Sequence, residues 1–322
     1  MALRVGFVGA GGIANKHMSI LSQMKDVEIA AVCDVEKERA KAATDKFGGK
    51  AYSDHHDLLD REDISALFVC VPPHAHADVE TLAAGKGIHL FIEKPVAISL
   101  EKALEVRTAI EKSGVVSSVG YHFRYMSTSR KLKELVTGQT IGMLMGWWLG
   151  GLPGVPWWRV KRKSGGQMVE QTTHIFDLAR YLAGDVEKAY AAYALRTLGE
   201  VPDLDVPDVG TAALQFKDGT VATISNTCML QGIGSVGIRV ICRQFMADLD
   251  GDRLRIQRPG EAEELKNSVD PYIAEDEVFI KAIATGDVSQ IQSTYADAAK
   301  TLAVTLAANE SAETGRPVRV AV

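Results

Sequence analysis

A lysine that directly follows a short apolar run is the first candidate for chemistry in this sequence. Residues 90–92 (Leu-Phe-Ile) are typical of a buried strand in a parallel sheet, and Glu93, Lys94 and Pro95 come next. Because proline has no N–H to give to a β-ladder, the strand is expected to end there. Lys94 would then lie at the carboxyl end of a strand, where open α/β sheets bind their ligands and where a half-buried lysine can act as an acid or a base. The alternative is a solvated surface lysine beside a turn.

A carboxylate and an imidazole form a second candidate group. From Met168 onward, apolar residues recur with a period near 3.6, which predicts a continuous helix. Glu170 and His174 would then share one face of that helix, and the carboxylate would orient the imidazole and raise its pKa, as in a general-base pair. Asp177 is three residues further on and could hold the second ring nitrogen of His174. A histidine with a structural role only is the alternative.

A glycine turn near the N-terminus has the pattern of a nucleotide-binding motif. Gly9, Gly11 and Ala14 follow a predicted strand at 3–8 in the pattern G-x-G-x-x-A, and a predicted helix follows the turn. Gly9 permits a tight turn, and Gly11 lets the backbone approach a pyrophosphate at the helix N-terminus. Asp34 ends the next predicted strand, where it would accept hydrogen bonds from a ribose. Gly12 and Ile13 complete the predicted cofactor-binding turn. A structural turn, with Asp34 only capping the next helix, is the alternative.

The charge of Asp34 favours NAD over NADP as the cofactor, because a carboxylate repels a 2′-phosphate. Arg39 is close to Asp34 in the sequence, and its positive charge could weaken this preference for NAD. It is explained more simply as part of the solvated face of a helix at 35–47, which carries the run Glu-Lys-Glu-Arg.

The order of the predicted elements indicates the fold. Strands alternate with helices over the first part of the chain, which predicts βαβ units and a parallel sheet. Further on, predicted strands follow one another directly, which indicates a mostly antiparallel sheet with one face available to a partner subunit. The predicted fold class is α/β, with an N-terminal Rossmann dinucleotide-binding domain (1–122) and a C-terminal α/β domain with an open, mostly antiparallel sheet (123–322). The second domain is expected to bind the substrate and to form the oligomer.

Composition excludes several classes of protein. The 322 residues are 46% hydrophobic and 24% charged, as in an ordinary globular protein, and the net charge of −5 gives no basic footprint for nucleic acid. The sequence contains no apolar run of membrane-spanning length and no leader pattern, so a cytoplasmic location is expected. Its four cysteines are typical of reduced core residues. His74 and His76 have no third residue at metal-ligand spacing, so no metal is predicted.

Three motifs carry a family resemblance. The glycine turn at 9–14, the loop at 71–76 (Val-Pro-Pro-His-Ala-His) and the triplet at 93–95 (Glu-Lys-Pro) occur in an order and spacing that resemble the glucose–fructose oxidoreductase / inositol dehydrogenase / rhizopine-catabolism (Gfo/Idh/MocA) family. Many members have Thr-Pro-Asn-x-x-His in the loop, where Val71 and Pro73 stand here. The family pattern Gly-Gly-Gly-x-Leu-x-Asp-x-Gly-x-His-x-x-Asp is matched further on by Gly165, Gly166, Glu170, His174 and Asp177. In that match Glu170 replaces the usual Asp and Thr172 replaces a Gly.

The resemblance implies an NAD(P)-dependent dehydrogenase or reductase that acts on a CH–OH group of a sugar, an inositol or a related polyol. It implies that His174 is the base or proton relay, that Lys94 hydrogen-bonds the reacting oxygen, and that Glu170 orients the substrate or His174. Glu93 would support Lys94 or bind a cofactor ribose, and Pro95 is expected to follow a cis peptide bond. The further cofactor contacts implied are Asp34, Arg39, Val71, Pro72, His76, Trp158 and Arg159. The further substrate contacts implied are Tyr121, Trp157 and Tyr272.

The expected partners are a small sugar or polyol and further copies of the chain, in a homodimer or homotetramer formed through the C-terminal sheet. Neither nucleic acid nor a membrane is expected as a partner. Two alternative functions stay open: an NAD-dependent glycosidase that works by transient oxidation, and a non-catalytic NAD-binding sensor, since a fold of this kind can bind a ligand without turnover. The candidate catalytic residues argue against the sensor, which has no need of them.

Overall fold

The computed structural model describes residues 2–321, which form two units of helices and strands. The first unit contains the chain up to Ala97, then Glu101–Gly120 and Tyr272–Ala296. The second unit contains Ile98–Leu100, Tyr121–Pro271 and the chain from Asp297 onward. The single division predicted at residue 122 therefore differs from the structure, because a late segment of the chain returns to the first unit.

Strands and helices alternate in the first part of the chain. These elements are β1 (Leu3–Val8), α1 (Gly12–Leu21), β2 (Val27–Cys33), α2 (Lys37–Phe47), β3 (Lys50–Tyr52), α3 (His55–Arg61), β4 (Ala66–Val69), α4 (Val79–Gly85), β5 (His89–Ile92), α5 (Leu100–Ser113) and β6 (Ser117–Val119). A short 3₁₀ turn at Pro73–Ala75 precedes α4.

Strands predominate in the later part of the chain. Its elements are α6 (Ser127–Val136), β7 (Ile141–Leu149), α7 (Lys161–Ser164), α8 (Gln167–Glu170), α9 (Thr173–Ala183), β8 (Val186–Ala194), β9 (Val209–Phe216), β10 (Val221–Thr227), β11 (Ser235–Cys242), β12 (Met246–Asp250), β13 (Arg253–Arg258), β14 (Glu261–Lys266), α10 (Pro271–Thr285), α11 (Tyr295–Thr314) and β15 (Val318–Arg319). Further 3₁₀ turns lie at His122–Tyr125 and Pro156–Arg159.

The first unit is built on a parallel sheet with the strand order β3-β2-β1-β4-β5-β6. This is the order of a Rossmann fold, so the predicted fold class is confirmed for this unit. Every residue of β4 is buried, as expected for a strand with both faces covered. The strand order reverses between β1 and β4, which places the loops after these two strands at the point where such folds bind nucleotides.

Helix α10 completes the core of the first unit. Phe279 is fully buried, and its ring centroid lies 5.6 Å from those of Phe68 on β4 and Phe91 on β5. Such edge contacts between aromatic rings add to the stabilisation that comes from burial. Helix α10 thus belongs to the first unit because it packs against strands that are far from it in the sequence.

The second unit is built on a sheet with the order β14-β13-β12-β11-β7-β10-β9-β8-β15. Its neighbours pair antiparallel except for β7 and β10, so the predicted mostly antiparallel sheet is confirmed. A tight turn at 217–219 joins β9 to β10, where the Phe216 N–H donates to the carbonyl of Thr220. One face of the sheet forms a core with the buried side of α9, which includes Ile175, Phe176 and Leu182.

Across the described residues, 2–321, the helices fall short of the length and apolar character that a membrane crossing requires. The four cysteines are buried free thiols, which confirms the prediction of reduced core residues.

Candidate active site

The glycine turn after β1 has the geometry that a bound pyrophosphate requires. Gly9 has φ +99°, and a Cβ added there would overlap the carbonyl oxygen of Cys70, so only glycine fits this position. A Cβ added at Gly11 or Gly12 would meet nothing within 4 Å, which shows that the outer side of the turn is open. Gly11 is the N-cap of the ten-residue helix α1, whose first N–H groups point out of this turn. The residues present therefore fit a dinucleotide.

Asp34 braces the glycine turn from the end of β2. Its Oδ2 accepts the backbone N–H of Ala10 at 2.8 Å, and its Oδ1 accepts the N–H of Glu36 at 2.9 Å. The predicted ribose contact stays a prediction, because each carboxylate oxygen has a second lone pair with which to accept a further hydrogen bond. Arg39 pairs with Glu36 at 2.9 Å on the exposed side of α2, which supports the solvated-face interpretation of this arginine.

The loop after β4 differs in one respect from its prediction. Val71 and Pro72 lead into the 3₁₀ turn, and Pro72 is the N-cap of that turn. His76 is buried, and its Nδ1 is hydrogen-bonded to Glu80 in the first turn of α4. His76 therefore packs beneath the loop and braces it, and the direct cofactor contact predicted for it is not supported. Contacts from the backbone of Val71 and Pro72 stay predictions.

Lys94 lies at the carboxyl end of β5, as the apolar run predicts, and it is half-buried. The Lys94–Pro95 peptide bond is cis, which confirms the prediction for Pro95. The backbone N–H of Lys94 donates to Glu93 Oε2 at 3.2 Å. Glu93 itself is buried, so support of Lys94 fits this residue better than a contact with a cofactor ribose.

The partners of Glu93 were not identified from the sequence. His17 on α1 is fully buried, with Nε2 3.1 Å from Glu93 Oε1 and Nδ1 2.8 Å from Asp276 Oδ1 on α10. Glu275, also fully buried, stands beside them. The signal available in the sequence is the presence of charged residues at helical positions that periodicity assigns to the core, next to Ala14 and Met18 on α1 and to Phe279 on α10.

The continuous helix predicted from Met168 is wrong. The structure has two helical pieces, α8 and α9, and the chain leaves the helix between them. The backbone N–H of Thr172 donates to the carbonyl of Gln167 at 2.9 Å, five residues back, and Thr172 Oγ1 accepts Asn226 Nδ2 at 3.0 Å. Glu170 ends α8 and His174 lies in α9, so they do not share a face of one helix.

Glu170 is positioned by a buried tryptophan. Trp158 Nε1 donates to Glu170 Oε2 at 2.7 Å, from the 3₁₀ turn at Pro156–Arg159. The Trp158 ring packs with Val206 and Cys228 in a small core. Trp158 therefore holds the carboxylate of Glu170 in place, a role that the sequence did not indicate, and the cofactor contact predicted for it is not supported by this burial. Trp157 and Arg159, its half-buried neighbours, stay predicted site residues.

His174 is buried among aromatic rings. Trp148 stacks on the imidazole with ring centroids 5.8 Å apart and planes 17° apart, and His122 meets it at 4.7 Å with planes 67° apart. Phe123 lies on another side at 5.1 Å. Rings on several sides restrict the rotation of the imidazole, so α9 presents it in one orientation.

Asp177 does not hold His174 in the way predicted. Arg124 Nε donates to Asp177 Oδ2 at 2.7 Å and Arg124 Nη2 to Oδ1 at 2.6 Å, while Thr301 Oγ1 donates to Oδ1 at 3.0 Å. Arg124 also pairs with Asp297 at 2.7 Å. Burial opposes the charge of Arg124, but Asp177 and Asp297 outweigh it and hold the pKa of the guanidinium above its ordinary value. This bidentate pair fixes α9, and no pattern in the sequence indicated this role for Arg124.

Two tyrosines predicted to touch substrate have different surroundings. Tyr121 is buried, and its hydroxyl is hydrogen-bonded to Thr173 Oγ1 at 2.8 Å, at the first residue of α9. This contact positions the helix, so a direct contact of Tyr121 with substrate is not supported. Tyr272 begins the first-unit segment of α10 and is half-buried, with the ammonium of Lys16 3.6 Å from its ring centroid. A substrate contact from Tyr272 stays a prediction.

Comparison with known families gives two matches that together span most of the chain. Residues 3–121 match the oxidoreductase family with an NAD-binding Rossmann fold (GFO_IDH_MocA). Residues 129–246 match the GFO/IDH/MocA C-terminal domain.

Individual relatives agree with these matches. Myo-inositol 2-dehydrogenase of Thermotoga maritima is 28% identical over 335 residues, which cover 99% of this chain and 98% of that protein. Uncharacterized oxidoreductase YrbE of Bacillus subtilis is 33% identical over 225 residues, which cover 69% of this chain and 66% of that protein. A solved structure of levoglucosan dehydrogenase in complex with NADH and levoglucosan has a TM-score of 0.89 at 22% identity and covers 100% of both chains. At that identity, the likeness shows the fold.

Proposed function

The chain belongs to the GFO/IDH/MocA family of NAD-binding oxidoreductases, and we propose that it transfers hydride between NAD and a secondary hydroxyl or carbonyl of a sugar, an inositol or a related polyol. One observation carries this proposal. The open glycine turn after β1 and Lys94 after β5 lie at the same carboxyl edge of one parallel sheet, with only β4 between them. At the spacing of neighbouring strands, this separation is about 10 Å, within the length of a dinucleotide.

The residues that would hold the cofactor are those of the glycine turn. The backbone N–H groups of Gly11, Gly12 and Ile13 would bind the pyrophosphate, since they begin α1 and stand at its positive end. Asp34 would accept the adenosine ribose hydroxyls, and its charge favours NAD over NADP. When bound, the nicotinamide supplies the acceptor for the hydride.

The side chains supply the proton chemistry. Oxidation of R₂CH–OH by NAD⁺ gives R₂C=O, NADH and one proton, so a group must remove the hydroxyl proton as the hydride leaves the carbon. We assign this step to a ring nitrogen of His174, which the aromatic rings hold in one orientation. The ammonium of Lys94 would hydrogen-bond the reacting oxygen and stabilise the alkoxide character that develops on it. Glu170, held by Trp158, would orient a substrate hydroxyl.

The substrate class rests on the named relatives and on the acidic residue of the site. The relative that aligns over nearly the whole chain is named for myo-inositol. A carboxylate such as that of Glu170 is a good acceptor for the vicinal hydroxyls of a polyol, and it stands where the family pattern has the shorter Asp. The extra methylene extends the carboxylate further from α8, so the favoured polyol is expected to differ from inositol in shape.

We also propose that copies of the chain associate through the open face of the second-unit sheet. On this face Met143, Met145, Tyr190 and Val221 are between 37% and 49% exposed, although they lie on central strands of the sheet. Met143 is directly opposite Val221 in the β7–β10 pair, so their side chains form one continuous apolar patch. Sedimentation velocity tests the proposal: Met145→Lys should shift a dimer or tetramer toward the monomer.

The free, buried cysteines fit a reducing, cytoplasmic setting.

The activity is tested with the purified protein, NAD⁺ or NADP⁺, and a panel of inositols, hexoses, aldonic lactones and deoxy or amino sugars. NADH absorbance that rises with one polyol, and rises faster with NAD⁺ than with NADP⁺, supports the proposal and the role of Asp34. A protein that binds NAD⁺ in a thermal-shift assay but produces no NADH with any member contradicts it. Release of nitrophenol from nitrophenyl glycosides would then identify a glycosidase. If no nitrophenol is released, the non-catalytic NAD-binding sensor is the alternative that is left.

A further inference from the structure

A buried imidazole links three distant parts of the first unit. His17 lies two turns into α1, the helix that begins at the glycine turn. Its Nδ1 is 2.8 and 3.0 Å from the two oxygens of Asp276, and its Nε2 is 3.1 Å from Glu93 Oε1. Phe68 and Phe91 cover the ring, with centroids 5.5 and 4.9 Å from it. Both nitrogens thus face carboxylates inside an apolar shell.

The Glu93 carboxylate is held on three sides. Oε1 faces His17, and Oε2 accepts the backbone N–H of Lys94 at 3.2 Å. On the third side a Cβ added to Gly120 would be 2.6 Å from Oε1, so a glycine is needed there for the carboxylate to fit. Whatever fixes Glu93 therefore also fixes the backbone from which the Lys94 side chain extends.

The charges of this cluster favour a cationic imidazole. Burial lowers the pKa of His17, but Asp276 and Glu93 outweigh burial and raise it to about 10. Glu275 also faces the ring from α10, and Lys16 and Tyr272 lie nearby on α1 and α10. Burial raises the pKa of Glu275 well above its ordinary value, and within residues 2–321 neither of its oxygens has a hydrogen-bond partner. The neighbouring carboxylates thus favour the imidazolium form of His17, and burial favours the uncharged form of Glu275.

We propose that His17 is a positioning residue for the hydride-transfer reaction: as a buried imidazolium anchored by Asp276, it fixes Glu93 and, through Glu93, the backbone of Lys94. This inference rests on the proposed function for its catalytic meaning, because Lys94 is assigned there to the reacting oxygen. The geometry itself is independent of that assignment. A hydrogen bond between charged groups in a buried site is strong enough to restrain a backbone segment.

A metal ion is the competing occupant of the same atoms. Ligand atoms of His17, Glu93 and Glu275 lie within 4.8 Å of one another, and a hydrogen bond donated by Nδ1 to Asp276 would suit a histidine that binds a metal through Nε2. A metal on Nε2 requires a neutral imidazole, so metal binding and the imidazolium exclude each other.

The first test measures hydrogen exchange at the Lys94 amide, which needs no substrate. His17→Gln removes the imidazolium, and Asp276→Asn removes its anchor while keeping the side-chain shape. Each is expected to speed exchange at Lys94 by about tenfold or more, because a charge-assisted hydrogen bond upstream is lost. The matched control is His56→Gln, because His56 also lies between two carboxylates, Asp54 and Asp78, but on the surface of α3. It should leave the Lys94 amide unchanged. Unchanged exchange in both His17→Gln and Asp276→Asn overturns the proposal.

The second test uses kinetics with the polyol identified by the panel. His17→Gln should lower kcat by about tenfold while the Kd for NADH stays within about threefold, and the effect should persist at temperatures where the variant is fully folded. A loss of kcat that disappears on cooling would indicate a structural role only and overturn the proposal. If the wild-type protein oxidises no polyol, the proposed function fails. Hydrogen exchange at the Lys94 amide still shows whether His17 restrains the backbone of Lys94, because that measurement needs no substrate.

The third test is calorimetric titration of the wild-type protein and of Glu275→Gln with Zn²⁺. No binding that Glu275→Gln abolishes is expected, because an imidazolium offers the ion no lone pair on nitrogen. Tight binding by the wild type that Glu275→Gln abolishes would assign these atoms to a metal and overturn the imidazolium assignment.

Discussion

Replacement of Asp177 by asparagine separates a structural role of this residue from a catalytic one. The Arg124 and Asp177 side chains are 5% and 1% exposed and share two hydrogen bonds of 2.6 and 2.7 Å. In Asp177→Asn an amide NH₂ faces a guanidinium donor, and the buried charge of Arg124 loses its principal partner. Removal of one partner from such a pair costs about 3–5 kcal/mol of unfolding free energy.

Urea unfolding followed by tryptophan fluorescence reports on the second unit, which contains Asp177. The four tryptophans, at 147, 148, 157 and 158, all belong to the second unit. With an m-value of about 2 kcal/mol/M, the midpoint should fall by about 1.5–2.5 M.

The matched control is Asp248→Asn, because Asp248 also forms a two-point pair with an arginine, Arg239. That pair is 39% and 18% exposed, so its loss should cost about 1 kcal/mol or less. The folded fraction of Asp177→Asn should retain kcat within about tenfold, since Asp177 fixes α9 and does not hold the His174 ring. Equal midpoint shifts in the two variants would refute the argument from burial. A stable Asp177→Asn protein with kcat reduced about a hundredfold or more would instead restore the predicted His174–Asp177 contact.

Further variants test other parts of the site. Gly9→Ala should abolish NADH binding measured by fluorescence, because φ +99° and the overlap with the Cys70 carbonyl force the turn to open. Glu275→Gln should raise stability at neutral pH in urea unfolding monitored by circular dichroism, because the buried carboxyl must give up its charge when the protein folds and the amide has none. The raised pKa of Glu275 means that wild-type stability falls as pH rises above about 4.5, and Glu275→Gln should lack this part of the pH dependence. Lys94→Ala and His174→Asn should each lower kcat by about 10²–10⁴ in the NADH assay while NADH still binds. Trp158→Phe should raise KM for the polyol more than it lowers kcat, because it frees Glu170.

Local patterns explain why the first unit could be predicted from the sequence. Strands β1, β4 and β5 are apolar runs followed closely by glycine or proline, and the turn at 9–14 has a backbone requirement at Gly9 that only glycine meets. The strand before Lys94 follows from the same short-range signals, whereas the cis bond before Pro95 was expected with the family resemblance. These features depend on residues close together in the chain, so spacing alone was enough.

The features that could not be predicted depend on contacts between distant residues. The break between α8 and α9 lies within an unbroken 3.6-residue pattern, and the bond from Asn226 to Thr172 comes from a strand 54 residues away. His17 is hydrogen-bonded to Asp276, 259 residues further along the chain. Because no local pattern marks a contact over this distance, the membership of α10 in the first unit was not predicted. Strand β14 is another such element, because its residues are almost all exposed and no alternation of apolar and polar residues marks it. Among the proposed site residues, the sequence indicated Lys94, its support Glu93 and His174, but not His17 behind Glu93 or the aromatic rings around His174.

The most direct test of hydride transfer follows a label from the substrate carbon. The polyol that gives NADH in the panel is prepared with deuterium on the carbon that bears the reacting hydroxyl, and the NADH formed is analysed by mass spectrometry. Each NADH is expected to carry one deuterium, and His174→Asn should slow the formation of NADH without changing its label. Unlabelled NADH, or deuterium found only in a hydrolysed product with no free NADH, would contradict a net dehydrogenase.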